Sequence, residues 1–574
     1  MESVSVDSLG RAALGYATGV MGRPLSTLSF AFNWYLGGLN PWGYKLVGIL
    51  IHVANAVLVL ALLRKIMAAT SSIDCTRVGP GFCIVVALAW ALHPLQVSSV
   101  LYVVQRMETL SLTFVLMALI AYIHGRTQQA AGTTTGWYWL ILSVLLAGLG
   151  MLSKETAVLF PAYTLALELT ILRFNAASER NRRYLVTGYA LVGAAAILIF
   201  IYWAIPKALS TGAFSNRDFT PYERLLSQCR ILPMYLWQMV FPSSNNMPFY
   251  YDAYQKSTGW LTPLTTSLGA LFLVALAAIG IFLRHRTPLI SLGILWFFAS
   301  HILTSNIYNL ELAFEHRNYF ALLGTTLAVA AAIAAAPLST TRYFKSTLAI
   351  TLIGALTALC ALRSATWGND LILARTLVDI SPDSPRAGNH LGTRLITSAG
   401  RNPASSLFHE GMQEMERTSL LPGAPPSSEA ILILAATDHG QPVDMAWWQR
   451  LVGKIRTQPV TSQTRASIVN LLQSRENGTP INDSSLEQAY TALFARGNQP
   501  AYLYAMAGDH ALLHLHDDEL ATAMFIRVVE LGRSDPDFVL RVIDSLRLDG
   551  YTAVSEATLK RAHELGIRHP TPSD

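Results

Sequence analysis

Glu311, Glu315, His316 and Arg317 fall within seven positions of the stretch ELAFEHRNYFALLG, residues 311–324, between two long apolar runs. Ionisable groups beside a membrane helix are costly to desolvate, so four together mark a candidate site. Comparable groups stand at the ends of other apolar runs: His93, then Gln105, Arg106 and Glu108, then Lys154 and Glu155 in MLSKETAVLFP. Asp252 lies in PFYYDAYQKS, and Arg23 in the N-terminal stretch. Arginine offers a phosphate a two-pronged fork and lysine a point charge. Carboxylates in the same cavity suit a general base or a grip on sugar hydroxyls. Phosphate and sugar chemistry at one membrane face point to a polyprenyl-phosphate-linked sugar. Taken singly, each residue also suits a snorkelling or capping role satisfied by water and headgroups; taken together they read as one cavity. No Walker loop, dinucleotide fingerprint, HExxH or CxxC pair supports a soluble cofactor or a zinc site. No ligand cluster argues for a divalent metal.

The elements that position these residues follow from composition. The 574 residues are 52% hydrophobic and 14% charged, against about a quarter charged in a soluble protein. Residues 1–363 hold 12 of the 36 acidic and 24 of the 42 basic residues, leaving 24 acidic and 18 basic in residues 364–574. An apolar, net positive front and a polar, net negative back imply an all-α chain, with a polytopic membrane helical domain followed by a soluble helical domain. The basic balance is a topology signal, not one for nucleic acid. The cysteines Cys75, Cys83, Cys229 and Cys360 make no paired framework.

Apolar runs long enough to cross a bilayer fall near 44–63, 81–100, 108–124, 137–153, 156–172, 184–205, 261–283, 288–304, 318–336 and 344–363. Gaps after the odd-numbered runs carry Arg64, Lys65 and Arg77; Arg126; Arg173, Arg180, Arg182 and Arg183; Arg284 and Arg286; Arg342 and Lys345. The intervening short gaps carry one basic residue each: Arg106, Lys154 and Arg317. By the positive-inside rule the first set is cytoplasmic. The second set, the long 206–260 loop and the C-terminal domain are then extracytoplasmic. Residues 1–40 also fall outside, although MESVSVDSLGRAALGYATGVMGRPLSTLSF has no apolar run to carry the chain across. Either the first helix inserts with its N-terminus translocated or an upstream helix is absent from this sequence, and the second is expected. The expected domains are 1–40, remnant of a first outer loop; 41–363, about ten membrane helices; and 364–574.

The tail has helix-turn-helix cadence. It appears in SPRAGNHLGTRLITSAGRNPASSLFHEGMQ, in residues 501–532 and in residues 536–566, and LLPGAPPSSEA (420–430) separates two parts. Units of some thirty residues with Gly or Ala at the helix contacts suggest tetratricopeptide-like repeats, with a generic helical bundle as the alternative.

Four segments carry a family resemblance: GRPLSTLSFAFNWYLGGLNPWGYKLVGILIHVANAVLVLALL, ALHPLQVSSVLYVVQRMETLSLTF, GMLSKETAVLFP and LELAFEHRNYFALLG. In this order they resemble the successive motifs of the transmembrane and tetratricopeptide repeat-containing glycosyltransferases, especially bacterial members related to protein O-mannosyltransferases. The match runs over residues 20–335 and more loosely through the tail. The resemblance implies a GT-C fold and transfer of a sugar from a polyprenyl phosphate to protein hydroxyls on the extracytoplasmic side of a bacterial inner membrane. It assigns Arg317, His316, Lys154 and Arg106 to the donor phosphate. Glu311 or Glu315 would orient Arg317 or contact the sugar, Glu155 would fix Lys154, and Asp252 and His93 are further candidates. Arg23 would anchor its segment against the headgroups. The family's catalytic acid belongs to a loop after a first helix that this sequence begins beyond, so the chain as written is expected to lack it. The catalytic residue is therefore unassigned, and Asp7 is not taken as the base.

The expected partners are the lipid-linked sugar, an acceptor protein and membrane lipid. Two other function classes compete. A non-enzymatic membrane scaffold would use the repeats to bind proteins and scatter its polar residues. A flippase for lipid-linked sugars would want charges near the midplane and an inverted repeat, neither of which is evident.

Overall fold

The computed structural model describes residues 22–70, 81–336 and 343–567, with positions 10, 13 and 15 ahead of them. Asp7, Cys75, Arg77 and Arg342 lie outside the described residues. Among those described, regular structure is helical. The chain forms two compact units, one of Met1–Phe214 and Phe219–Thr376, the other of Ser215–Asp218 and Leu377–Asp574.

All ten apolar runs appear as helices. They are α2 (Pro41–Ala69), the pair α3 (Phe82–Ala91) and α4 (Gln96–Leu101), α5 (Arg106–Ala130), α6 (Gly136–Met151), α7 (Phe160–Leu167, prolonged to Leu172), α8 (Glu179–Leu209), α10 (Thr265–Phe282), α11 (Pro288–His301), α12 (Ala321–Ala335) and α13 (Phe344–Gly368). The runs containing α2, α5, α7, α8, α10 and α13 are long and apolar enough to cross a membrane; α3, α6, α11 and α12 are shorter. The second run breaks at His93-Pro94, because proline donates no N–H and disfavours helix at the residue before it. There the Leu95 N–H donates to His93 Nδ1 at 3.1 Å.

Two helices were not expected. Short α1 (Pro24–Gly37) precedes the first run, and α9 (Pro221–Val240) crosses what the sequence reads as a long loop. A capping box between Thr220 and Glu223 starts α9, and its polar residues Arg224, Ser227, Gln228 and Gln238 are buried. Its longest apolar run, 231–237, falls well short of a membrane span, so a hydropathy criterion passes over it. Arg126 also needs correction. It is not a loop cation but lies inside α5, fully buried and paired with Glu168 at 2.6 Å.

Close helix crossings are built on glycine. A Cβ on Gly293 of α11 would run into the Gly324 carbonyl of α12, and one on Gly324 into the Gly293 carbonyl. Small residues at such crossings let backbones touch without a solvent-driven hydrophobic term. Gly293→Val is expected to cost about 1–3 kcal/mol by overpacking. Gly354→Ala, which meets nothing within 4 Å, should be neutral. Thermal unfolding of the detergent-solubilised chain compares the two.

The second unit is a run of helical hairpins. After α14 (Asp370–Ile380) come α15 (Pro385–Ala399), α16 (Ser406–Ser419), α17 (Ser427–Asp438), α18 (Met445–Thr457), α19 (Ser462–Glu476) and α20 (Asp483–Phe494). Then follow α21 (Ala501–His510), α22 (Asp518–Leu531), α23 (Pro536–Leu548) and α24 (Thr552–Glu564). Side-chain caps from Ser384, Ser405, Asp444, Thr461, Asn482, Asp517 and Asp535 start seven of them, which is why the polar tail divides so regularly. Between α21 and α23 a cavity of about 360 Å³ is lined by Asp509, Asp549, Ser545, Tyr551 and apolar neighbours. Asp509 keeps part of its surface open to solvent, but enclosure of its carboxyl by the cavity walls, with the Glu476 and Asp549 carboxylates nearby, pushes it up to about 6. The folded chain therefore holds this proton more tightly than the unfolded chain. Asp509 contributes most below its ordinary value of about 4, and that contribution is lost as pH rises towards 6. Hydrogen exchange in α21 and α23 should quicken over this window, and Asp509→Asn should flatten the dependence.

Candidate functional site

The site begins where three helix mouths meet. α1 is pinned to the end of α6: Leu25 N–H donates to the Leu152 carbonyl at 3.1 Å and Ser26 Oγ to the Ser153 carbonyl at 2.9 Å. Arg23, at the N-terminus of α1, reaches Glu155 at 2.9 Å. Lys154 reaches Glu108 in the first turn of α5 at 2.9 Å and Gln105 Oε1 at 3.3 Å. Thr156 Oγ1 donates to the other Glu108 oxygen at 3.3 Å. The pairing expected between Lys154 and Glu155 is thus replaced by two crossed pairs. Lys154 has extended backbone, and sequence neighbours in that conformation point to opposite sides.

The fourth element is the one-turn 3₁₀ helix Glu315–Asn318 ahead of α12. The His316 ring lies within electrostatic reach of Lys154, Arg317 and Arg23. It also packs on Phe314 at 4.7 Å between centroids. Arg317 is half-buried and donates through Nη1 to the Leu312 carbonyl at 3.1 Å; among the described residues it has no carboxylate partner. The mouth therefore holds three cations, Arg23, Lys154 and Arg317, against two carboxylates, Glu108 and Glu155. A half-buried guanidinium without a counter-charge beside a neutralised pair suits an anion that arrives with the ligand.

Other expected residues are placed differently. Glu315 does not pair with Arg317 and does not face the mouth. It is fully buried and receives both bonds from Arg363 Nη2, at 2.7 and 2.8 Å. Arg106 is enclosed too: it donates to the Ser29 and Tyr44 carbonyls at 3.2 and 2.8 Å and to Asn33, with Phe30 4.8 Å beneath its guanidinium. It joins α1, α2 and α5 rather than facing a ligand. His93 donates from Nε2 to the Met239 carbonyl at 3.1 Å, tying the helix break to α9. Glu311 is half-buried, its carbonyl accepting from Arg224 at 2.8 Å, and Asp252 is exposed in the loop.

The residues that carry the site turn were invisible in sequence. Arg224 of α9 binds the Thr304, Leu310 and Glu311 carbonyls. Gln228 binds the Leu312 carbonyl at 3.0 Å, and the Tyr235 hydroxyl bridges the Phe314 N–H and carbonyl at 2.7 and 3.1 Å. Below the turn, the Tyr319 hydroxyl meets His52 Nδ1 at 2.7 Å and accepts from Asn55 at 3.3 Å. Among the described residues no three of His, Cys, Asp or Glu converge as a metal centre.

Fold and site together define a multi-pass helical membrane protein with a cation-rich mouth and a helical-hairpin tail. No family model and no solved structure matches the chain. Its relatives include the human protein O-mannosyl-transferase TMTC4, 23% identical over 431 residues, covering 67% of this chain and 56% of that protein. Human protein O-mannosyl-transferase TMTC2 is 29% identical over 249 residues, covering 40% and 28%. Mouse protein O-mannosyl-transferase TMTC2 is 36% identical over 138 residues, 24% of this chain and 15% of that protein. The chain is thus similar to protein O-mannosyl-transferases of the TMTC group, in keeping with the resemblance its four motifs carry. It spans little more than half the length of the first of these relatives.

Proposed function

We propose that the chain is a membrane glycosyltransferase that takes a sugar from a polyprenyl-phosphate donor to hydroxyl groups of an acceptor protein. The observation that carries this reading is Arg317, a cation with no carboxylate partner among the described residues, grouped with Lys154, Arg23 and His316. A polyprenyl phosphate supplies what this arrangement lacks: an anionic headgroup on a lipid tail that stays in the bilayer. Arg317 grips the phosphate through its free prongs, Lys154 adds a point charge, and His316 lies beside them as a hydrogen-bonding group. In transfer, an acceptor oxygen bonds to the anomeric carbon as the bond from that carbon to the phosphate oxygen breaks. The negative charge left on the phosphate is what the cations stabilise. The hydroxyl proton goes to a base that we do not assign. The relatives' names supply mannose as the sugar.

The remaining cations of that set, Arg64, Lys65, Arg173, Arg180, Arg182, Arg183, Arg284, Arg286 and Lys345, stand in or beside the end turns of their helices and support placing the mouth and the tail on the extracytoplasmic side. The motifs' likeness to bacterial members supports a bacterial inner membrane as the site. The tail, read as tetratricopeptide-like repeats, serves the acceptor. Full chain reconstituted in vesicles with radiolabelled polyprenyl-phosphate mannose tests the reading. Saturable donor binding that Arg317→Ala weakens supports it, and donor binding indistinguishable from protein-free vesicles overturns it.

A further inference from the structure

The turn that presents His316 and Arg317 cannot hold its own position. A single 3₁₀ turn is too short to be stable alone, and irregular chain precedes it. Its strongest side-chain anchor is Glu315, whose two oxygens both bind one nitrogen of Arg363. Residues in a 3₁₀ turn point about 120° apart, so a Glu315 fixed on one side directs His316 and Arg317 to others.

Arg363 is placed unusually. It belongs to α13, an apolar helix whose buried residues are Arg363 and Trp367. An arginine on such a helix is expensive unless it has a task. Its other terminal nitrogen, Nη1, donates to the Pro94 carbonyl at 3.0 Å and lies 3.1 Å from Met247 Sδ. One guanidinium thus joins the last apolar helix, the break between α3 and α4, the loop after α9 and the site turn.

We propose that Arg363 is a positioning residue for donor binding: through Glu315 it sets where Arg317 and His316 meet the donor phosphate. The proposal rests on the glycosyltransferase reading of the mouth. Lysine keeps the charge beside Glu315 but cannot span Glu315 and Pro94 with one rigid fork.

The test measures polyprenyl-phosphate affinity and thermal midpoint on full chain in lipid nanodiscs, together with the ³¹P resonance of the bound phosphate. Arg363→Lys is expected to weaken affinity roughly tenfold, as misplacement of a gripping group does. Its midpoint should stay near wild type while the bound ³¹P resonance shifts. The double variant Glu315→Gln/Arg363→Gln, which leaves no unpaired charge, should show the same loss. Unchanged affinity in both variants overturns the proposal. So does affinity that falls only in step with the midpoint, which marks Arg363 as a purely structural tie. If Arg317→Ala also binds the lipid normally, the reading of the mouth fails instead. Loss in Arg317→Ala with none in the Arg363 variants overturns the positioning role alone.

Discussion

Arg317→Ala weakens polyprenyl-phosphate binding roughly 10- to 100-fold and leaves the fold intact. The magnitude is that of removing hydrogen bonds between two charged partners, about 1.5–3 kcal/mol. The intact fold follows from the site's geometry. Arg317 donates to one carbonyl and neutralises no carboxylate among the described residues, so its removal strands no buried charge. Lys154→Ala behaves differently. It leaves Glu108 buried without its cation, next to where the phosphate would lie, so both stability and affinity fall. Equilibrium binding beside thermal unfolding separates the two. Normal binding in Arg317→Ala, or a stability loss as large as that of Lys154→Ala, would falsify the assignment of Arg317 as the ligand-facing cation.

That contrast depends on pairings which the sequence could not supply. The cluster itself was legible, because Glu315, His316 and Arg317 are adjacent and Lys154 sits in an equally short gap between apolar runs. Partners were not. Lys154 pairs with Glu108 rather than with its neighbour Glu155, and Glu315 pairs with Arg363, 48 positions away. Arg363 stands at the end of the run 344–363, where an arginine reads as a boundary rather than an anchor. The helix in fact continues to Gly368 and buries that side chain. The ten apolar helices were legible because each lies in a run apolar enough to stand out, six of them long enough to cross a bilayer, and the tail hairpins because capping residues punctuate them. α9 was not, because polar residues interrupt its buried face: Arg224 and Gln228 hold the site segment by its carbonyls, a role no spacing rule predicts.

The same difficulty governs the second large effect, at the other end of α5. Arg126, read from sequence as a loop charge, is 1% exposed, and its partner Glu168 is 0% exposed. Glu168 also accepts from the Tyr122 hydroxyl at 2.7 Å and the Phe174 N–H at 3.0 Å, while Arg126 holds Gln129 and the Asn175 carbonyl. About twenty residues of helix, or roughly 30 Å, separate it from Arg106, so it lies far from the mouth. Glu168→Leu leaves the guanidinium buried without its counter-charge and is expected to cost about 3–5 kcal/mol. Arg126→Met/Glu168→Leu should recover most of that, because an apolar pair of similar volume avoids desolvating two charges. Donor affinity should be unchanged in the double variant. The singles and the double, compared by unfolding in detergent, form a cycle whose coupling term isolates the pair. A coupling near zero would mean that water reaches the guanidinium, and that Arg126 is a topology charge after all.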